Sequence, residues 1–534
     1  MAIFLTVTLP MIPAIVFGAL RKGVDSIFHA RWQDAFAGQF WSGDLYPRWL
    51  VDLNDGFGSP VFFLYPPLSH FVTALLQPLF SDPATLALRL GVSAWMAMLL
   101  SGIACLGWLR RAFPHAPQAA LAGALVYCLA PYHLYIDVYQ RGALAEVWAF
   151  VWPPLTLMIL TAADRISTRT IAALALTLAG LFTTHAPSIL IAGPAYGLYA
   201  VILDLKARSP NRLATLTVST LLGLLLAGGY LGTALTHSAY IDTAALFSGR
   251  NLASKWLLGG AVWPDPGIEL YVHVASAVTF GFGLLLAGIA LTRTWHVART
   301  QTVAALAFLL LALFLMSIAS RPLWDLHLPL DRVQFPWRFL LLATTGLALS
   351  ATAFAASMPR IARLLPLVVV LLGLGINIGF TFLPSRLPAS IDPKSITRSS
   401  PGDESWDAPE YRLAAPAETQ GLFAPGERVR LIEGQGEITV RDWAPRHIRF
   451  TTALATPGII AIRQFDYPGW TASGGRLVDG AKFLRIAAPA GQSEVELRLE
   501  ALPAEQLGWL ASLCGVLVLA SLWIAPSLMA KRFR

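Results

Sequence analysis

Charge is scarce in this sequence: 13% of its 534 residues are Asp, Glu, Lys or Arg, 56% are hydrophobic, and mean hydropathy is +0.60. Soluble domains carry roughly 25% charged residues, so the composition excludes a soluble enzyme and indicates a polytopic membrane protein. Cysteine is scarcer still. Cys105, Cys128 and Cys514 each sit in an apolar run, at no spacing that makes a zinc site or a disulfide framework. No phosphate loop, dinucleotide fingerprint, Gly-x-Ser-x-Gly elbow or metal-ligand spacing occurs in a supporting context, which leaves cytoplasmic nucleotide-sugar chemistry without a visible site. The net charge of +8 does not indicate nucleic acid. The basic residues come in ones, twos and threes between apolar runs, which is a topology signal.

What is abundant is apolar length. Runs at roughly Ala2 to Leu20, Ala84 to Leu109, Ala116 to Ala130, Val147 to Ala163, Ile171 to Thr184 and Ser188 to Leu205 are followed by Leu213 to Leu235, Val272 to Leu291, Val303 to Ala319, Phe339 to Ser357, Ile361 to Leu383 and Leu507 to Ala525. They predict about twelve crossings, the first an uncleaved span. Val61 to Phe80 is apolar too, but Pro66, Pro67, His70 and Pro78 interrupt it. Treating it as a helix on the outer surface, with the amino terminus inside, puts Arg110, Arg111, Arg165, Arg169, Lys206, Arg208 and Arg212 on the cytoplasmic side. Arg21 and Lys22 disobey, as a tolerated exception or as a hold on an anionic lipid headgroup. The polar loops then gather on the outer face.

The first of these loops, residues 21–83, is long and aromatic-rich. Asp25, His29, Trp32 and Phe36 recur at helical spacing, placing a carboxylate and an imidazole above two rings. Asp25 can accept a proton from a hydroxyl nucleophile or simply cap a helix. Pro47 is expected to open a short helix carrying Arg48 and Asp52, and Tyr65 lies in the LYPP turn that follows. In the next outer loop, Tyr132 to Trp148, Asp137 and Arg141 precede Glu146. Arg141 is a candidate phosphate clamp and Glu146 a candidate to orient a sugar hydroxyl, although an acid in a first helical turn needs no other reason. His185 sits in a tight hairpin. Arg332, Gln334 and Arg338 crowd the mouth of the tenth run, where outward arginines run against the topology rule and so suggest an anion. The loop from Thr236 to Tyr271, with Lys255, Trp256 and Trp263, is expected to close over the site.

From Pro384 the composition turns soluble. Alternating runs such as GEITVRDW, HIRFTT and SEVELRLE, separated by Pro and Gly, predict an antiparallel β-sandwich over residues 384–506, after a Pro/Ser-rich connection and before the last span and basic tail at 507–534. Residues 1–383 form the membrane part.

This arrangement resembles the GT-C superfamily of membrane glycosyltransferases: first span, acidic residue, long outer loop with a surface helix, second acidic region, terminal soluble domain. The strings GDLYPRW, GFGSPVFFLYPPL, YQRGALAEVW, THAPS and QFPWRF are similar to those of bacterial membrane proteins labelled 6-pyruvoyl-tetrahydropterin synthase-related, and FDYPGWTASGG to the end of related glycosyltransferases. The resemblance implies sugar transfer from a polyprenyl-phosphate donor to a glycan, lipid or protein acceptor outside a bacterial cytoplasmic membrane. It implies Asp25 as base. Ser26 stands where that superfamily frequently has a paired acid, so a divalent metal is possible but not indicated. Two rivals remain, a lipid-linked sugar flippase or other transporter and a non-catalytic glycolipid-binding assembly protein. Span interiors nearly free of charge, and the absence of an internal repeat, favour the enzyme over the transporter.

Overall fold

The computed structural model describes residues 1–16, 25–241, 256–258, 268–293, 298–326, 329–382 and 407–532. Arg21, Lys22, Lys255 and Trp263 lie outside them, and of the Thr236 to Tyr271 loop only its two ends and residues 256–258 are described. Among the described residues eight helices are long and apolar enough to cross a membrane, beginning with Pro83–Ala112 and ending with Pro503–Ile524. The twelve crossings expected are not all of that kind. Ala2–Val16, Thr168–Thr184 and Arg299–Leu315 are shorter apolar helices, and the expected span from Leu213 to Leu235 is two helices, Asn211–Leu226 and Gly228–Tyr240, bent by 71°. The bend falls where the chain meets the last helix: a Cβ on Gly228 would lie 2.8 Å from the Cβ of Ala511, and one on Gly508 would lie 2.6 Å from the Gly228 carbonyl oxygen. Backbones pack here with no side chain between them, as small residues permit.

Local chemistry sets the helix ends. Asp82 caps the helix that follows, its Oδ1 accepting the Ala84 N–H at 2.8 Å, with Pro83 in the first turn and Arg110 and Arg111 in the last. Val61 to Phe80, the doubtful run, is not among the spans; it folds as short pieces, Val61–Leu64, Leu68–Leu75 and Gln77–Leu79. The helix expected at Pro47 does not form. Residues 51–57 are turns, with Asn54 and Asp55 in the left-handed region at φ 54° and 56°. Gln39 takes the place of helical bonds there, donating to the Trp49 carbonyl and accepting from the Val51 N–H, both at 2.9 Å.

Two four-stranded antiparallel sheets make the carboxy-terminal domain. One has the order β1 (Val429–Glu433), β4 (Gly458–Phe465), β7 (Phe483–Ala488), β6 (Arg476–Leu477); the other β2 (Gly436–Ala444), β3 (His447–Leu454), β8 (Gly491–Leu499), β5 (Trp470–Ser473). The alternation Ile448, Phe450, Thr452, Leu454 on β3 and Val495, Leu497, Leu499 on β8 fills the space between them. The first long loop completes that core. Trp49, Val51, Phe57 and Phe63 are buried with it, Trp49 Nε1 donates to Gln464 Oε1 at 2.7 Å, and the Phe465 N–H donates to the Phe57 carbonyl at 2.7 Å. Gly58, at φ 85°, passes so close to Trp49 that a Cβ would lie 2.5 Å from its ring. The sandwich therefore braces the loop that carries Asp25.

Candidate active site

The stretch expected as an outer loop after Ala130 is mostly helix. Pro117–Arg141 is a single candidate span broken at Ala130, whose ψ of 133° ends the α-helix Pro117–Leu129; its last ten residues, Tyr132–Arg141, are wound with the wider π spacing, and only Gly142 and Ala143 separate it from the next helix at Leu144. Hydropathy misjudged it because its polar side chains are buried in the protein, where Arg141 meets Asp137 and Gln140 Nε2 donates to the Tyr135 hydroxyl. Gly142 is left-handed at φ 64°, and a Cβ there would lie 2.4 Å from that of Ser26. This close passage lets the Asp25 N–H donate to the Arg141 carbonyl at 2.9 Å.

Arg141 is the centre of the resulting cluster. Its Nη2 lies 2.8 Å from Asp25 Oδ2, and its Nη1 lies 2.7 Å from Asp137 Oδ1 and 2.6 Å from Glu146 Oε2. Tyr132 donates to Glu146 Oε1 at 2.5 Å, Arg338 Nε is 3.6 Å from Glu146 Oε2, and the Trp337 ring lies 5.2 Å from the Arg141 guanidinium carbon. Asp25 occupies the N-cap position of Ser26–Trp41 yet makes no capping bond, so the capping explanation fails. Its side chain is 33% exposed, whereas those of Asp137 and Glu146 are fully buried.

Asp25 and Glu146 face a cavity of about 780 Å³. His29, Tyr65, His185, Arg332, Gln334 and Arg338 also line it. Arg338 Nη1 donates to the Val333 carbonyl at 3.1 Å and to Gln334 Oε1 at 3.0 Å, with Gln334 itself in the left-handed region. Arg332 is exposed. His185 Nδ1 is 2.7 Å from Ser188 Oγ. His29 is one link in a buried chain: Nε2 lies 3.5 Å from the Tyr65 hydroxyl, Nδ1 lies 3.3 Å from His70 Nε2, and His70 Nδ1 lies 2.9 Å from Gln33 Oε1. Burial pulls the His29 imidazole down to about 4, against the nearby Asp25 carboxylate, which pushes it up. Burial likewise pushes the Tyr65 phenol up, so both groups are neutral at pH 7.

Two candidates stand elsewhere. Arg48 does not line the cavity: it is buried with Glu505 at 2.6 Å and donates to Thr233 Oγ1 and to the Gly229 carbonyl, joining the first loop to the last helix. Asp137 lies behind the wall and holds Arg141 rather than meeting a ligand. Arg141, by contrast, does line the cavity, with its guanidinium engaged by three carboxylates. Among the described residues no group of three or more His, Cys, Asp or Glu could hold a metal ion, and the acids nearest the cavity face a guanidinium, so the residues present do not fit a divalent metal. Residues not anticipated are His70, and Asp407 and Tyr411 from the segment leading into the sandwich. No local signal marks Asp407, because its partners are Trp32 and Ser59, 375 and 348 positions away.

No protein-family model and no curated protein sequence matches the chain. Among solved structures, the arabinofuranosyltransferase AftD from Mycobacteria is similar at TM-score 0.49 and 17% identity, over 94% of this chain and 40% of that one. An oligosaccharyltransferase from Archaeoglobus fulgidus is similar at TM-score 0.37 and 14% identity, over 76% of this chain and 53% of that one. The chain thus spans less than two thirds of either neighbour, and likenesses of this depth define neither its family nor its activity.

Proposed function

We propose that the chain is a membrane glycosyltransferase that moves a sugar from a polyprenyl-phosphate donor to an acceptor hydroxyl at the extracytoplasmic face. The observation that carries this reading is Asp25: a partly exposed carboxylate at the wall of a large cavity, oriented through one oxygen by Arg141 and not used as a cap. Such a carboxylate is placed to act as a general base. The acceptor hydroxyl gives its proton to Asp25 as its oxygen forms a bond to the anomeric carbon from the face opposite the donor phosphate. The bond from the anomeric carbon to the phosphate oxygen breaks, and its electron pair leaves on that oxygen. Negative charge therefore grows on the phosphate in the transition state, where Arg332 and Arg338 in the cavity wall would stabilise it. His29 and Tyr65, neutral and hydrogen-bond capable, would orient hydroxyls. Attack opposite the leaving group inverts the anomeric configuration.

Membranes carrying the wild type or Asp25→Asn, given radiolabelled polyprenyl-phosphate sugars, test this through release of free polyprenyl phosphate. Release that falls at least about 100-fold in the variant, with the protein still folded, is the expected result. Equal release from both would remove Asp25 from the mechanism.

A further inference from the structure

The cavity wall that carries no arginine is assembled from distant parts of the chain. Trp32 and Tyr65 come from the first outer region, and Pro409, Glu410 and Tyr411 from the segment that leads into the sandwich. Ring centroids are 4.8 Å apart for Trp32 and Tyr65 and 5.7 Å apart for Trp32 and Tyr411. One residue that does not itself line the cavity joins these pieces. Asp407 is 1% exposed, and its Oδ1 accepts from Trp32 Nε1 and from the Ala408 N–H, both at 2.7 Å, while Oδ2 accepts from Ser59 Oγ. Its backbone is held as firmly: the N–H donates to Asn54 Oδ1 at 2.8 Å and the carbonyl accepts from Arg412 Nε at 2.6 Å. A buried carboxylate with three donors is costly to disturb, because each donor released inside the protein loses its partner.

The wall has a chemistry of its own. Aromatic faces offer broad apolar contact, and the Glu410 carboxylate beside them can only accept hydrogen bonds. A sugar ring presents the complement, an apolar C–H face rimmed by hydroxyl donors. We infer that Asp407 is a positioning residue that clamps residues 408–411 onto Trp32, and that the wall of Trp32, Tyr65 and Tyr411 so formed takes the face of a carbohydrate ring. The ring half of this inference rests on the glycosyl-transfer reading above; the clamp half does not.

Each half has its own measurement on the full chain in lipid nanodiscs. For the clamp, Glu410→Cys is placed in a Cys514→Ser background, where the remaining cysteines, Cys105 and Cys128, are buried. Labelling by a water-soluble maleimide is expected to quicken at least tenfold when Asp407→Ala is added. It should stay near its starting rate with Asp407→Asn, whose Oδ1 still accepts from Trp32 and Ala408 and whose Nδ2 can donate to Ser59. Equal rates in all three, or Asn behaving like Ala, would overturn the clamp. For the ring, saturation-transfer NMR in the otherwise native chain uses two probe sets, phosphate-free methyl glycosides and farnesyl-phosphate sugars. A loss of fivefold or more in Asp407→Ala and in Tyr411→Ala is expected; loss for methyl glycosides places the acceptor sugar on the wall, and loss for the farnesyl-phosphate set alone places the donor sugar there. No signal in the wild type, or signals that neither substitution changes, would overturn it. Neither readout needs turnover, so a chain that binds sugar without transferring it would sink the transfer reading and leave the wall standing.

Discussion

Among the described residues the protein buries two ion networks of three or more groups, and they are built in opposite senses. Around Arg141 one guanidinium is shared by three carboxylates, those of Asp25, Asp137 and Glu146. Around Glu505 one carboxylate is shared by two guanidiniums, those of Arg48 at 2.6 Å and Arg446 at 3.6 Å, with the His237 ring 3.7 Å away. The second is closed to the cavity: the Arg48 and Glu505 side chains are 3% and 2% exposed, and Arg446, 28% exposed, does not line it; this network ties the first loop and the sandwich to the last helix. The first is open at one corner, where Asp25 meets the cavity. Burial of charge is thus not the mark of the site. What distinguishes it is one member of a buried network left within reach of a ligand, held in direction but not enclosed.

Removing the hub of the open network should give the largest effect. Arg141→Ala leaves Asp137 buried without its cation and Glu146 with Arg338 alone, a loss expected to cost about 3–5 kcal/mol and to abolish transfer, measured by thermal unfolding in detergent beside the release assay. Stability within about 1 kcal/mol of wild type would mean that the three acids are not held as an ion network at all. In the closed network, Glu505→Gln strands Arg48 and is expected to cost about 3 kcal/mol, while turnover per folded molecule stays at the wild-type level. A specific loss of turnover there would erase the distinction between the two networks.

Position along the chain made part of this legible. Asp25 stood out because a carboxylate follows the first apolar run and leads a helical face of aromatics, and period-two alternation in HIRFTT and SEVELRLE announced two paired strands of one sheet of the sandwich. Arg48 misled because its partner, Glu505, is 457 residues away, and i, i+4 spacing to Asp52 was the only relation visible locally. The polar run Tyr132 to Arg141 looked like a loop because hydropathy scores a side chain without knowing that a buried partner awaits it. Asp407 was invisible for the same reason, set in a Pro/Ser-rich stretch whose only meaning is the tryptophan it reaches.

Asp25→Asn is the counterpart of Glu505→Gln, with the effects exchanged. Because the Asp25 side chain is one third exposed, its pair with Arg141 is partly screened, and the substitution is expected to change stability by less than about 1 kcal/mol while turnover falls at least about 100-fold. Parallel losses of fold and activity in this variant would make the open corner structural.

The smallest effect comes from groups outside both networks. Burial raises the Asp407 carboxyl to about 6, the contacts from Ser59, Trp32 and Ala408 opposing it and Glu410 adding to it. The folded state therefore binds that proton more readily than the unfolded chain, so this contribution to stability is present below about pH 4 and is lost as pH rises through 6. His29, drawn down to about 4, and His70, drawn down further by burial and by His29, run the other way: their contribution is present above about pH 6.5 and is lost as pH falls. Across pH 4–6 Asp407 opposes the two histidines and offsets only one of them, so wild-type stability should fall as pH drops by the margin of a single group. Asp407→Asn removes that offset, so its unfolding midpoint should fall more steeply than that of the wild type as pH drops through this window, while His29→Gln should flatten the fall or reverse it. Identical slopes in all three would mean that neither group keeps its buried protonation state, and that the wall facing the ion network is hydrated rather than packed.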